Sequence, residues 1–158
     1  MERAEAERLA RRWAGSVYRL AYARAGNRAD AEDVMQEVFL RLVRAGPEFH
    51  DDEHAKAWLL KVTARCAADL FRSPWRKRTE PLDEHRPAAA EPESGGVLEA
   101  VLALPPNYRV PIHLFYYEGM SVSEIAAALG KREDAVRTRL SRGRAMLRDA
   151  LKGGVEDV

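Results

Sequence analysis

Cysteine is almost absent from this 158-residue chain, and Cys66 is its only representative. A single thiol excludes an internal disulfide and a cysteine-built zinc site; with Val62 and Leu70 four residues to either side, Cys66 reads as a small core residue. No run of about 18 apolar residues occurs, which excludes a membrane-spanning helix. The start MERAEAERLARRW is charged throughout and lacks the apolar stretch of a secretory signal, so a cytoplasmic location and no membrane insertion are expected. Also missing are a Gly-rich phosphate loop, a G-x-S-x-G elbow and a usable Cys-His pair. No catalytic residue and no cofactor are therefore expected. Neither the alternating apolar pattern of strands nor an Asn-Gly hairpin signal is found, which leaves an all-α fold.

What the chain does have is apolar residues at helical spacing, with 46% hydrophobic content to build cores. The segment TEPLDEHRPAAAEPESGG, residues 79–96, holds three prolines, a closing Gly-Gly and one large apolar residue, Leu82. It buries too little to offset its ordering entropy and reads as a flexible linker that includes His85. Two small helical domains result, 1–78 and 97–158. In the first, helices are predicted over about 5–25, from Asp30 as cap to Gly46-Pro47 with Val34, Val38, Phe39, Leu42 and Val43 as the buried stripe, and from Asp52 or Glu53 to about Ser73 with Trp58, Val62, Cys66 and Leu70 inward. In the second, VLEAVLAL forms a short helix ended by Pro105-Pro106. NYRVPIHLFYYEG forms the next, where Pro111 costs a hydrogen bond unless it lies in the first turn. Ser121 and Glu124 make a capping box for a helix that turns Ile125 and Leu129 inward and ends at Gly130. The last helix spans about 133–152.

Charge is balanced overall, at a formal +1, yet segregated along the chain. RSPWRKR, residues 72–78, carries four positive charges; the linker carries five acidic residues against Arg86; Lys131 to Lys152 carries eight basic residues against three acidic ones. Two short helices joined by a brief turn, with Ala126 and Ala127 permitting close approach, describe a helix-turn-helix. In the last helix, with Val136 at zero and about 100° per residue, Leu140, Gly143, Leu147 and Leu151 fall on one stripe. Thr138, Ser141 and Arg142 lie opposite, Arg137, Arg144 and Arg148 cluster on one flank, and Arg139 sits on the other. That layout suits a DNA major groove, with polar side chains toward base edges and guanidinium groups toward phosphates. Arg76, Lys77 and Arg78 form a second basic cluster, in which Trp75 is suited equally to stacking on a base and to packing at a domain junction.

The helix DAEDVMQEVFLRLVR places Asp33, Gln36, Glu37, Leu40, Arg41 and Arg44 on its outward face, an apolar residue set among charges. That face reads either as a solvated surface or as a protein-docking one. Taken in order, DAEDVMQEVFLRL, AWLLKVTARCAADLFR, LPPNYRVPIHLFYYEGMSVSEIAAALG and VRTRLSRGRAML resemble the extracytoplasmic-function (ECF) sigma factors over about residues 17–151. The resemblance implies that Asp33, Gln36, Glu37, Leu40 and Arg41 dock on the clamp helices of the RNA polymerase largest subunit. It also implies that the loop from Glu48 to His54 and the following helix handle the minus-ten promoter element, with 1–78 as sigma domain 2. Residues 97–158 become sigma domain 4, whose helix-turn-helix reads the minus-thirty-five element. The family commonly uses an anti-sigma protein, which makes such a protein a candidate partner. Lys131 and Arg132 stand where the family generally has an apolar residue and a Ser cap.

Two other readings compete. A duplex-binding regulator with a helical effector domain would bind its operator without polymerase. A metal enzyme would use HDDEH, where His50 and His54 flank three carboxylates; acidic residues are expected at a helix start in any case, and no third histidine stands nearby. His113 reads as incidental and Trp58 as a core residue.

Overall fold

A computed structural model describes residues 2–72 and 96–156, with side chains as far as Lys152. The expected linker, apart from Gly96, and the cluster Trp75, Arg76, Lys77 and Arg78 lie outside the described residues. Every regular element among the described residues is a helix, and the chain divides into two compact units, Met1–Asp83 and Glu84–Val158.

The first unit packs α1 (Arg3–Ala25), α2 (Arg28–Ala45) and α3 (Asp52–Arg72) against one another in all three pairs. Leu9, Val17, Val34, Val38, Leu42, Leu59 and Cys66 share one core cluster, closed at its edges by Trp13, Phe39, Trp58 and Leu70. Gly26 ends α1 in the left-handed region at φ 81°, where a side chain would be strained. The cap of α2 is Asn27, not Asp30: its side-chain oxygen accepts the Asp30 N–H at 2.9 Å, so the helix starts three residues earlier than expected. Asp30 then sits in the first turn, where its carboxylate accepts from the Asn27 amide at 3.0 Å. Val43 is also corrected. It is 46% exposed, because the inward stripe of α2 follows Ala31, Val34, Val38 and Leu42 and leaves Val43 beyond its edge. The start of α3 is tied to α1 by Arg8, whose guanidinium donates to Asp52 at 2.9 and 3.0 Å while also holding Glu5.

The second unit contains α4 (Val97–Leu102), α5 (Pro106–Tyr116), α6 (Val122–Leu129) and α7 (Glu133–Glu156). Pro106 opens α5 at a position where no N–H is needed, whereas Pro111 lies in its second turn and leaves the Asn107 carbonyl without the usual helical donor. Arg109 extends back to α4, donating to the Leu102 carbonyl at 2.8 Å and so capping that short helix. The Ser121–Glu124 capping box at α6 is complete, with bonds of 3.1 and 2.8 Å. Gly130 turns the chain at φ 67°, the Lys131 N–H returns to Ala126 O, and Arg132 offers its carbonyl to Val136 at 3.1 Å. The turn therefore closes through backbone bonds with Lys131 and Arg132 in place, and the Arg132 carbonyl makes the first intrahelical bond of α7. Ile125 is buried and Leu129 half-buried as α6 packs on α7; Ala126 and Ala128 are buried too, and Ala127 is exposed.

Candidate nucleic-acid and protein-docking interfaces

On α7 the helical period sorts the side chains cleanly. Val136, Leu140 and Gly143 are buried and Leu147 and Leu151 half-buried, while Arg137, Thr138, Ser141, Arg142, Arg144 and Arg148 are exposed and Arg139 is partly covered. The arginines are not equivalent. Arg137 is drawn to Glu133 at 3.2 Å, and Arg144 donates to the Tyr116 hydroxyl at 3.2 Å. Arg139, Arg142 and Arg148 have no ion-pair partner among the described residues. Among the described residues no ion pair has to break for these guanidinium groups to meet an external anion.

A second face lies on α2. Asp33 and Gln36 are exposed, and Arg41 donates to Glu37 at 3.0 Å, one helical turn away. Beside that pair Leu40 is 41% exposed. Val43, displaced from the core stripe, is a second exposed apolar residue on α2, which reading the sequence missed by assigning it inward. Cys66 lies close enough to Arg41 to feel its charge, yet burial dominates and pushes its thiol upward, away from the thiolate that redox or metal chemistry requires.

Between α2 and α3 the loop builds an aromatic cluster. His50 and His54 stack at 4.8 Å, Phe49 meets His54 edge-on at 5.3 Å, and Trp58 lies 5.8 Å beyond Phe49. His54 Nδ1 accepts the His50 backbone N–H at 3.0 Å, and Asp51 accepts the His54 N–H at 2.8 Å. Asp52 is drawn instead to Arg8 and Arg12, so the carboxylates of HDDEH diverge; no cluster of three metal-ligating groups is found among the described residues. Trp58 is half-buried against the core. In the second unit, His113 is not incidental: it is buried, with Nε2 3.1 Å from the buried Glu118 carboxylate. Glu118 follows the end of α5, five residues on, a spacing that helical periodicity does not flag.

Among the described residues every element is a helix, the last helix exposes arginines beside a helix-turn-helix, and the second exposes a mixed charged and apolar face, which is the arrangement of a helix-turn-helix protein with a second, separate charged surface. Comparison with known proteins narrows it. Residues 9–77 match the profile of Sigma-70 region 2, and residues 95–147 that of Sigma-70, region 4. The ECF RNA polymerase sigma factor SigE of Mycolicibacterium smegmatis is 38% identical over 92% of this chain and 61% of its own length. BldN of Streptomyces coelicolor, another ECF sigma factor, is 35% identical over 83% of this chain and 54% of its own. Among solved structures, CnrH in complex with the cytosolic domain of CnrY superposes with a TM-score of 0.68 at 26% identity, covering 96% of this chain and 90% of that one. The sigma factor RpoE bound to the anti-sigma factor NepR from Bartonella quintana shares the fold at a TM-score of 0.64 and 22% identity, over 87% of this chain and 91% of that one. The chain belongs to the sigma-70 family, and among its members it is similar to extracytoplasmic-function sigma factors. It spans less than two thirds of the length of SigE and of BldN.

Proposed function

We propose that this chain is an ECF-type initiation factor that brings core RNA polymerase to particular promoters and assists their opening. The single observation that carries the reading is the pairing of two dissimilar faces on two units: the Leu40-centred surface of α2 and the arginine-bearing surface of α7. In this reading residues 1–78 act as sigma domain 2. Asp33, Gln36, Glu37, Leu40 and Arg41 meet the polymerase clamp helices, and the loop from Glu48 to His54, with its aromatic cluster, faces the minus-ten element. Capturing a base outside the stack costs a few kcal/mol, which stacking on such rings offsets. Residues 97–158 act as sigma domain 4, with Thr138, Ser141 and Arg142 toward base edges and Arg137, Arg139, Arg144 and Arg148 toward phosphates. Arg76, Lys77 and Arg78 add basic charge after domain 2. The protein works in the cytoplasm and contributes no catalytic group of its own, and an anti-sigma protein is a candidate partner, as NepR is for RpoE of Bartonella quintana.

The test is capture of purified core polymerase by the full chain, followed by run-off transcription from a promoter library. Capture is expected, and Asp33→Ala, Glu37→Ala and Arg41→Ala are expected to weaken it. Full-affinity operator binding that needs no polymerase would overturn the proposal in favour of an ordinary regulator.

A further inference from the structure

A cleft of about 390 Å3 opens beside the recognition helix and is lined by residues from two elements: Asn107 and Tyr108 from the first turn of α5, and Asp134, Ala135, Thr138, Arg139 and Arg142 from α7. Gly143 explains why the two helices meet so closely. A Cβ there would lie 2.9 Å from Ile112 Cγ1 and 3.6 Å from Tyr108 Cβ, so α7 presses on α5 at its glycine. The crossing places the two ends of α5 on opposite flanks of α7: Tyr116 at the far end holds Arg144, and Asn107 and Tyr108 at the near end stand beside Arg139 and Arg142.

We propose that Asn107 and Tyr108, outside the helix-turn-helix itself, form part of the duplex-binding surface and hold a backbone phosphate in this cleft together with Arg139 and Arg142. This rests on the reading of α7 as the duplex-facing helix. The groups present suit a phosphodiester: an amide, a phenol and a hydroxyl as neutral donors, with two guanidinium groups that have no ion-pair partner among the described residues. Asp134 is the one opposing group; Arg132 lies 3.6 Å from its carboxylate and reduces its repulsion. Asn107 is exposed, and Thr138 and Arg142, which the cleft shares with the exposed face of α7, make the two surfaces continuous.

Phosphate contacts are independent of base sequence and are read from the salt dependence of binding, so no promoter need be known. The full-length chain is titrated with a mixed-sequence 30-base-pair duplex at several salt concentrations, following anisotropy. Asn107→Arg adds a charge at the cleft and is expected to tighten binding and steepen the slope of log K against log salt by about 0.9. Asn107→Asp places a carboxylate beside the phosphate and is expected to weaken binding several-fold. An acidic residue in the first turn also suits the helix dipole, so Asn107→Asp should fold normally, as a thermal melt would verify. Arg142→Ala serves as reference. If it flattens the slope while both Asn107 variants bind like the parent, the cleft does not hold a phosphate; if Arg142→Ala and Arg139→Ala also change nothing, the duplex-facing reading of α7 is itself wrong.

Discussion

Asp52 occupies the first position of α3 and is held by two arginines of α1, Arg8 at 2.9 Å and Arg12 at 3.5 Å. The hydrogen bond from Arg8 holds its carboxyl below the usual aspartate range. A group whose folded pKa is depressed stabilises the fold above its unfolded pKa, and that contribution fades as pH falls through the folded value. Asp52→Asn should therefore lower the melting temperature at neutral pH, and the difference from the parent should shrink as the solution is acidified through the aspartate range. Melts across that range check it; because Asp52 is on the surface, salt should shrink the difference too. His113 and Glu118 pose the opposite case, a buried pair with no solvent to replace a lost partner. Glu118→Ala should destabilise the second unit by about 1–3 kcal/mol, read as a shifted urea midpoint, and Glu118→Gln by less because it keeps an acceptor near His113. Neither pairing was legible in sequence. Arg8 and Asp52 are 44 residues apart, and Glu118 lies five residues beyond His113, past the end of its helix. What could be read was charge of the right sign at a helix start, and no more.

At the scale of elements, helical periodicity did most of the sorting. It placed Val136, Leu140 and Gly143 inward on α7 and the six outward residues of α2 together, because both helices have one buried side and one open one. Its failures have local causes. Asn27 and Asp30 are both good caps, and only the side-chain geometry chose Asn27; Val43 fits the apolar pattern of α2 but lies past the width of the groove that α1 and α3 offer. Gly143 was legible as part of the buried stripe, though not as the contact point with α5. Replacing it by alanine gains roughly 1 kcal/mol of helix propensity and forces a methyl group to within 2.9 Å of Ile112 Cγ1, in a side chain only 1% exposed and stiff at its branch. Overpacking of this kind costs about 1–3 kcal/mol, so Gly143→Ala should be neutral to destabilising by up to about 2 kcal/mol, not stabilising as an exposed helical glycine would be. Thermal unfolding of the full chain checks the sign. A clear rise in melting temperature would mean that α5 and α7 approach less closely than the structure has them.

At the scale of the whole molecule, each charged face stands on its own small core. A unit of some seventy residues buries a modest fraction of its surface and holds only a few kcal/mol of net stability. Leu59 is fully buried where α3 meets the rest of the first core, and truncating such a leucine to alanine costs about 2–5 kcal/mol. That is most of what the first unit has. Leu59→Ala should accordingly abolish capture of core polymerase, since Glu37, Leu40 and Arg41 can hold their common face only while α2 stays packed. The second unit keeps its buried Ile112, Leu114, Ile125 and Val136, none of which belongs to the core of the first, so the arginine face of α7 should remain formed. Duplex binding by the same variant should persist and stay steeply salt-dependent, reduced only by whatever contacts the first unit supplied. Ile125→Ala should reverse the pattern, sparing polymerase capture and weakening duplex binding. Measuring both activities on both variants separates two independently supported faces from a single cooperative structure, in which either substitution would remove both activities together.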